Sequence, residues 1–200
     1  MNLPNKITLS RIILAIIILI MMVIPWSSLG VEWIVFDSFF GKKMDPISLK
    51  YIVAGILFCI ASITDRFDGQ IARKRNMVTD LGKMLDAIAD KILVNGVLII
   101  LAYDRMIPLA IPVIIITRDI ITDTCKMVSG NKGKVVAASW TGKVKTAFMM
   151  TWLTLIFFNN LPFELINFEF ATFCIFIATI LSVVSGCQYY FATRKLLDSK

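Results

Sequence analysis

Between positions 65 and 90 the chain reads DRFDGQIARKRNMVTDLGKMLDAIAD, and four of its aspartates fall at helical intervals. Asp65 and Asp68 are three apart, and Asp86 and Asp90 are four apart. Residues at these spacings share a face of a helix, so each pair presents two carboxylates in one direction. Asp65 and Asp68 fit tolerably as solvated charges at a helix end. Asp86 and Asp90 fit that reading worse, because they interrupt the otherwise apolar stretch MLDAIADKILVNGVLII. Ionisable groups within such a segment are costly and are functional-site candidates by default.

Four carboxylates brought together repel, and divalent cations resolve the repulsion. The chain has no histidine, and Cys59, Cys125, Cys174 and Cys187 form no CxxC pair. They read as packed thiols, with neither a disulfide framework nor a zinc site. A donor set of oxygen alone selects a hard ion, Mg2+ first, with Mn2+ or Ca2+ as substitutes. A general base must then be a carboxylate, a lysine, a tyrosine or a metal-bound group. Small residues flank the aspartates. Gly69 follows Asp68, Ala72 lies one turn after it, and Gly82 lies one turn before Asp86. Each removes bulk where another group must approach the backbone. Arg73, five residues after Asp68, can pair with a phosphate, whereas Lys74 and Arg75 read as topology anchors.

The elements that position these residues follow from composition. The 200 residues are 58% hydrophobic, with a mean hydropathy of +0.79. These values and the long apolar runs predict one domain over 1–200, an all-α integral membrane protein built as a six-transmembrane-helix bundle. The spans are expected at about 7–24, 48–73, 82–103, 108–127, 144–158 and 170–191. A short loop between the second and third predicts that those two helices are antiparallel neighbours. A cleaved signal peptide is the competing reading of the first run, but the run is long and no A-x-A-like site follows it. Six crossings put both termini on one side. With the termini, 65–91 and 118–145 assigned to the cytoplasm, every Lys and Arg of the 21 falls there except Lys42, Lys43, Lys50 and Arg105. The positive-inside rule therefore orients the bundle with both termini and the aspartates cytoplasmic, in a multi-pass protein of the cell membrane. The net charge of +7 reads as topology signals and anion ligands, with no nucleic acid as a partner. Val31 to Met44 is too short to cross, and reads as an interfacial helix or a small hairpin. The alternation of Val31, Trp33 and Val35 favours extended structure.

The spacing Asp65-x2-Asp68-Gly69-x2-Ala72-Arg73-x8-Gly82-x3-Asp86-x3-Asp90 resembles the signature of the CDP-alcohol phosphatidyltransferase family at every fixed position. The resemblance implies six transmembrane helices, a homodimer and a cytoplasm-facing site with two metal ions. It implies Asp65, Asp68, Asp86 and Asp90 as metal ligands, and Asp90 also as the catalytic base. Gly69, Arg73 and Thr79 would bind the CDP moiety of CDP-diacylglycerol, with Ala72, Gly82, Asn5 and Thr8 beside them.

The rest of the chain is similar to the branch of that family whose acceptor is glycerol 3-phosphate. The similarity lies in the opening Asn2 to Ile12, NLPNKITLSRI, in Arg118 followed eight residues later by Lys126, and in Gly142-Lys143-Val144-Lys145-Thr146. Asp119 stands where that branch has Glu, and Lys126 where it has a second Arg. Lysine keeps the charge and loses the bidentate fork. Arg118, Lys126, Lys143 and Lys145 all sit at span ends on the side of the carboxylates, where they suit the phosphate of such an acceptor. The activity implied is transfer of the phosphatidyl group to glycerol 3-phosphate with release of CMP. Two alternatives are the same chemistry on phosphatidylglycerol or an inositol phosphate, and an intramembrane cation site of a transporter. Gly69, Ala72 and Arg73 speak against the transporter, since a cation path needs neither close backbone approach nor an arginine.

Overall fold

The computed structural model describes residues 3–39, 42–74, 80–131 and 139–198. Side chains at 3–7, 37–39, 42–45, 65–74, 80–81, 83, 131 and 198 are outside the described set. Six α-helices make up the fold among these residues: α1 Leu3–Val23, α2 Leu49–Lys74, α3 Asp80–Tyr103, α4 Ala110–Asn131, α5 Trp140–Phe157 and α6 Phe170–Asp198. Between α1 and α2 lie a 3-10 turn at Trp26–Leu29 and an antiparallel hairpin of β1 Val35–Phe39 and β2 Lys42–Ser48.

The boundaries have local causes. Pro25 lies two residues past the end of α1, and Gly30 closes the following turn at φ 74°, a conformation that costs glycine least. Ser139 caps α5, its hydroxyl accepting from the Gly142 N–H at 3.2 Å. That cap starts α5 at Trp140, earlier than apolar content alone predicts, and so places Lys143 and Lys145 inside the helix. Asn160 fastens the α5–α6 connection, donating to the Phe168 carbonyl at 2.7 Å and accepting from the Ala171 N–H at 3.0 Å. α6 runs past the expected end at 191 to Asp198. The expectation of extended structure for 31–44 holds for its second part, as the β1–β2 hairpin.

α1 packs against both α2 and α3, α5 against α6 and α2, and α4 against α6. Among the described residues α2 and α3 share little direct contact. α1 packs against both of the aspartate-bearing helices, α2 and α3, and so couples them; the ends at which α2 and α3 were expected to meet lie largely outside the described residues. The core is continuous, with Ile18, Val97, Leu98, Leu101, Trp152, Leu153 and Phe157 fully or almost fully buried. Glycines set two of the contacts. A Cβ at Gly96 would lie 2.6 Å from Leu19 Cδ2, and one at Gly55 would lie 2.6 Å from Phe157 Cβ.

The outward faces of several helices are apolar too. Ile13, Ile17 and Ile20 on α1, Ile56, Ile60 and Ile63 on α2, and Phe173, Phe176 and Ile180 on α6 are all exposed. A helix apolar all round belongs in lipid or in a large core, and these faces have no protein over them. Within α6, Phe170–Leu197 is long and apolar enough by itself to cross a bilayer, and Thr8–Val23 and Leu49–Thr64 are shorter apolar helices.

Candidate active site

On α3, Asp86 and Asp90 stand one turn apart with half-exposed side chains. Between them lies the guanidinium of Arg11, contributed by α1. Its Nη1 donates to Asp86 Oδ1, and its Nη2 donates to Asp90 Oδ1 at 2.6 Å. Arg11 itself is only 9% exposed. Its position deep in an apolar helix, with water excluded, makes a charged partner obligatory. Arg11 and Asp90 also stand in the wall of a cavity of about 450 Å3 bordered by α1, α2, α3 and α5. Ser62, Thr146, Thr151 and Thr154 supply hydroxyls to the same wall, beside Phe58 and Ile63.

A second set of charges sits on α4 and α5. Arg118 donates to Asp119 at 2.8 Å through Nη1, and to Ser185 Oγ of α6 at 2.7 Å through Nη2. Lys145 of α5, 6% exposed, donates to the same Asp119 carboxylate at 3.2 Å. One half-buried carboxylate thus holds two cations from two helices. Arg118 Nε is buried without a hydrogen-bond partner. α6 shapes the floor. Gly186 leaves room for the Arg118 stem, since a Cβ there would lie 2.9 Å from Arg118 Cγ. The Tyr189 ring lies beneath Arg118 at 6.0 Å and Lys126 at 5.5 Å.

The two sets meet through Lys91, the residue after Asp90. Lys91 pairs with Asp123 on α4, one turn beyond Asp119. It also lies within Coulombic range of Asp119, Lys126 and Arg118. The carboxylates of α3 and the basic residues of α4 and α5 therefore occupy one end of the bundle.

A profile of CDP-alcohol phosphatidyltransferases matches residues 1–184. The chain belongs to the CDP-alcohol phosphatidyltransferase family. A protein of Bacillus subtilis named CDP-diacylglycerol–glycerol-3-phosphate 3-phosphatidyltransferase is 41% identical over 191 residues, covering 94% of this chain and 93% of its own. Proteins of the same name from Rickettsia felis and Shigella flexneri serotype 5b are also similar. The first is 31% identical over 195 residues, or 97% of this chain and 96% of its own. The second is 34% identical over 159 residues, or 76% and 85%.

Set against the phosphatidyltransferase signature, the described residues account for part of the expected site. Asp86 and Asp90 come together on one face of α3. Gly82 is half-buried in the first turn of α3, and Thr8 is half-buried one turn before Arg11 on α1. Asp65, Asp68, Gly69, Ala72 and Arg73 lie in the helical backbone of α2, and Asn5 in that of α1, with side chains outside the described residues. Thr79 lies outside the described residues altogether. Arg118 and Lys145 are brought together, Lys126 joins them over Tyr189, and Lys143 is exposed on the first turns of α5. Arg11, Asp119, Ser185 and Tyr189 went unassigned in the sequence reading. For Arg11 there was a signal: it is the one charge inside an apolar run.

Phosphatidyltransferases of this family are generally dependent on divalent metal. Asp86 and Asp90 fit such an ion. They offer oxygen donors only, one turn apart with Asp90 at the cavity wall, and the chain already sets a cation across them. Among the described residues no group of three or more acidic, Cys or His side chains gathers.

Proposed function

We propose that this chain transfers the phosphatidyl group of CDP-diacylglycerol to glycerol 3-phosphate, giving phosphatidylglycerophosphate and CMP. The observation that carries the reading is the Lys91–Asp123 pair, which sets a carboxylate pair suited to a metal-bound diphosphate beside a cluster of cations suited to a phosphate-bearing acceptor. The full-length similarity to the Bacillus subtilis protein of that name supports the same acceptor.

In this reading six helices cross the cell membrane, both termini face the cytoplasm, and the site opens to the cytoplasm. The exposed apolar faces of α1, α2 and α6 support a lipid surrounding. Asp65, Asp68, Asp86 and Asp90 would hold two divalent ions, Mg2+ or Mn2+, whose charge would offset that of the donor diphosphate and of the departing CMP. Gly69, Ala72, Arg73, Thr79 and Gly82 take the CDP group, with Asn5 and Thr8 from α1 alongside. The cavity beside Arg11 and Asp90 has an apolar wall suited to the donor's acyl tails and hydroxyls suited to its glycerol esters.

Arg118, Lys143 and Lys145 hold the acceptor phosphate, with Lys126 adding positive charge at its edge. This orients the distal hydroxyl of glycerol 3-phosphate toward the phosphorus that carries diacylglycerol. The hydroxyl oxygen forms the new P–O bond, the P–O bond to CMP breaks, and Asp90 receives the hydroxyl proton. With no histidine in the chain, a carboxylate is the suitable base. The enzyme acts as a homodimer in this reading.

The test is purified protein in CDP-diacylglycerol micelles with Mg2+, offered glycerol 3-phosphate, phosphatidylglycerol, inositol phosphate, inositol and serine in turn, with lipid products identified by mass. Phosphatidylglycerophosphate from glycerol 3-phosphate alone is expected. Turnover with a different acceptor and none with glycerol 3-phosphate would overturn the acceptor. No CMP release with any acceptor would overturn the chemistry.

A further inference from the structure

We propose that Arg11 is a resident cation, holding the α3 carboxylates in the metal-free protein and yielding them when a divalent ion binds. The inference rests on the metal-site reading above.

The Arg11 fork spans two carboxylates of one helix face, one terminal nitrogen to each. Two acidic oxygens that converge on one cation would also suit a divalent ion. The Oδ1 lone pairs that accept from Arg11 are not available to such an ion while the fork is in place, and a guanidinium held against a divalent ion would be repelled by it. Without a positive charge at this point, Asp86 and Asp90 would face each other one turn apart in an apolar helix. Arg11 supplies that charge from another helix, from a position that water scarcely reaches.

The exchange needs space, and the structure has it. Arg11 and Asp90 share the wall of the 450 Å3 cavity, into which the side chain can move while its backbone stays fixed. α1 is pinned to α3 where Leu19 fills the notch at Gly96, so a side-chain rotation costs less than a shift of the helix. Arg11 is then a positioning residue with two states. It keeps the empty site assembled, and it sets how tightly the site takes a metal.

The test uses the full-length protein in nanodiscs, with Mn2+ as the probe and the free ion counted by electron paramagnetic resonance. Thermal unfolding is followed in parallel, in EDTA and in Mg2+. Arg11→Met removes the competing cation and is expected to bind Mn2+ about tenfold more tightly, the scale of one charge-assisted contact. It should unfold at a lower temperature than the wild type in EDTA and regain most of the difference in Mg2+. Arg11→Lys keeps a point charge that cannot fork, and its Mn2+ affinity is expected between the two. An Arg11→Met protein that binds Mn2+ no more tightly than wild type overturns the proposal, since Arg11 would then support the metal ligands rather than compete with the metal. Should Arg11→Met fail to fold in either condition, Arg11→Lys decides: tighter than wild type supports the exchange, equal or weaker overturns it. A wild type that binds no Mn2+ overturns the metal site itself, a result distinct from both.

Discussion

The ring of Tyr189 lies 6.0 Å from the guanidinium of Arg118, and its hydroxyl accepts from the backbone N–H of Ser139 at 3.2 Å. A single α6 side chain thus touches the chief cation of α4 and the cap of α5, the helix that carries Lys143 and Lys145. Tyr189→Leu removes the ring and a cation–π contact of about 0.5–2 kcal/mol. The acceptor KM should rise about twofold to thirtyfold, with the donor KM unchanged. Tyr189→Phe keeps the ring and should leave the acceptor KM near wild type. Equal rises in both KM values would show that Tyr189 serves the fold and not the acceptor.

Arg118→Ala and Lys143→Ala should each raise the KM for glycerol 3-phosphate about tenfold to a hundredfold, on the scale of a charge-assisted hydrogen bond. Lys145→Ala should do the same and also lower the unfolding temperature, because Lys145 is buried against Asp119 while Lys143 is exposed. Lys126→Arg restores a fork over the Tyr189 ring and should keep or improve acceptor affinity. Steady-state kinetics with each substrate varied separately decides the matter. A rise confined to the donor KM would assign the cluster to the lipid.

Asp86→Asn removes one acidic ligand and should abolish CMP release with little loss of folded protein, read by circular dichroism. EDTA should silence the wild type, and added Mg2+ should restore it. Full turnover in EDTA would refute metal-dependent chemistry at this site.

The two close glycine contacts should behave differently. At Gly55 a new methyl would meet Phe157 Cβ, an atom fixed to the backbone of α5, so Gly55→Ala must push α2 and α5 apart. Overpacking of this kind costs about 1–3 kcal/mol. At Gly96 the obstruction is the tip of Leu19, which can change rotamer. Gly96→Ala should therefore lower the unfolding temperature by less than Gly55→Ala. The reverse order would mean that the α1–α3 seam is the tighter one.

Orientation has its own measurement. On a background lacking the four native cysteines, Lys43→Cys should react with an impermeant thiol reagent added to intact cells, and Arg75→Cys should not. The opposite pattern would place the carboxylates on the outer face.

The periodicities that were legible are local ones. Each helix announced itself through an apolar run, and Asp86 and Asp90 share a face by arithmetic alone. What stayed hidden depends on partners far apart in sequence. Arg11 stands out as a charge inside an apolar run, but its partners come into view only when α3 is laid beside α1. Loop length limits how far the ends of α2 and α3 can separate, but it says nothing of α1, a third helix packed against both. Ser139 was legible only in retrospect. A serine ahead of Trp140 is a weak signal until its hydroxyl is seen capping α5, which brings Lys145 onto the buried face opposite Asp119.

The pairing of Arg11 with α3 also orders events on the ribosome. Asp86 and Asp90 are made 75 and 79 residues after the arginine they hold. At ~5–20 residues per second, α1 waits roughly 4–15 s for them. In the reading in which α1 crosses the membrane, a helix that carries an arginine rests near the surface while its acidic partners are still to be made, with Arg11 reaching to the headgroups. Its seating against α3 then follows the synthesis of α3, and the first helix made is among the last to settle there.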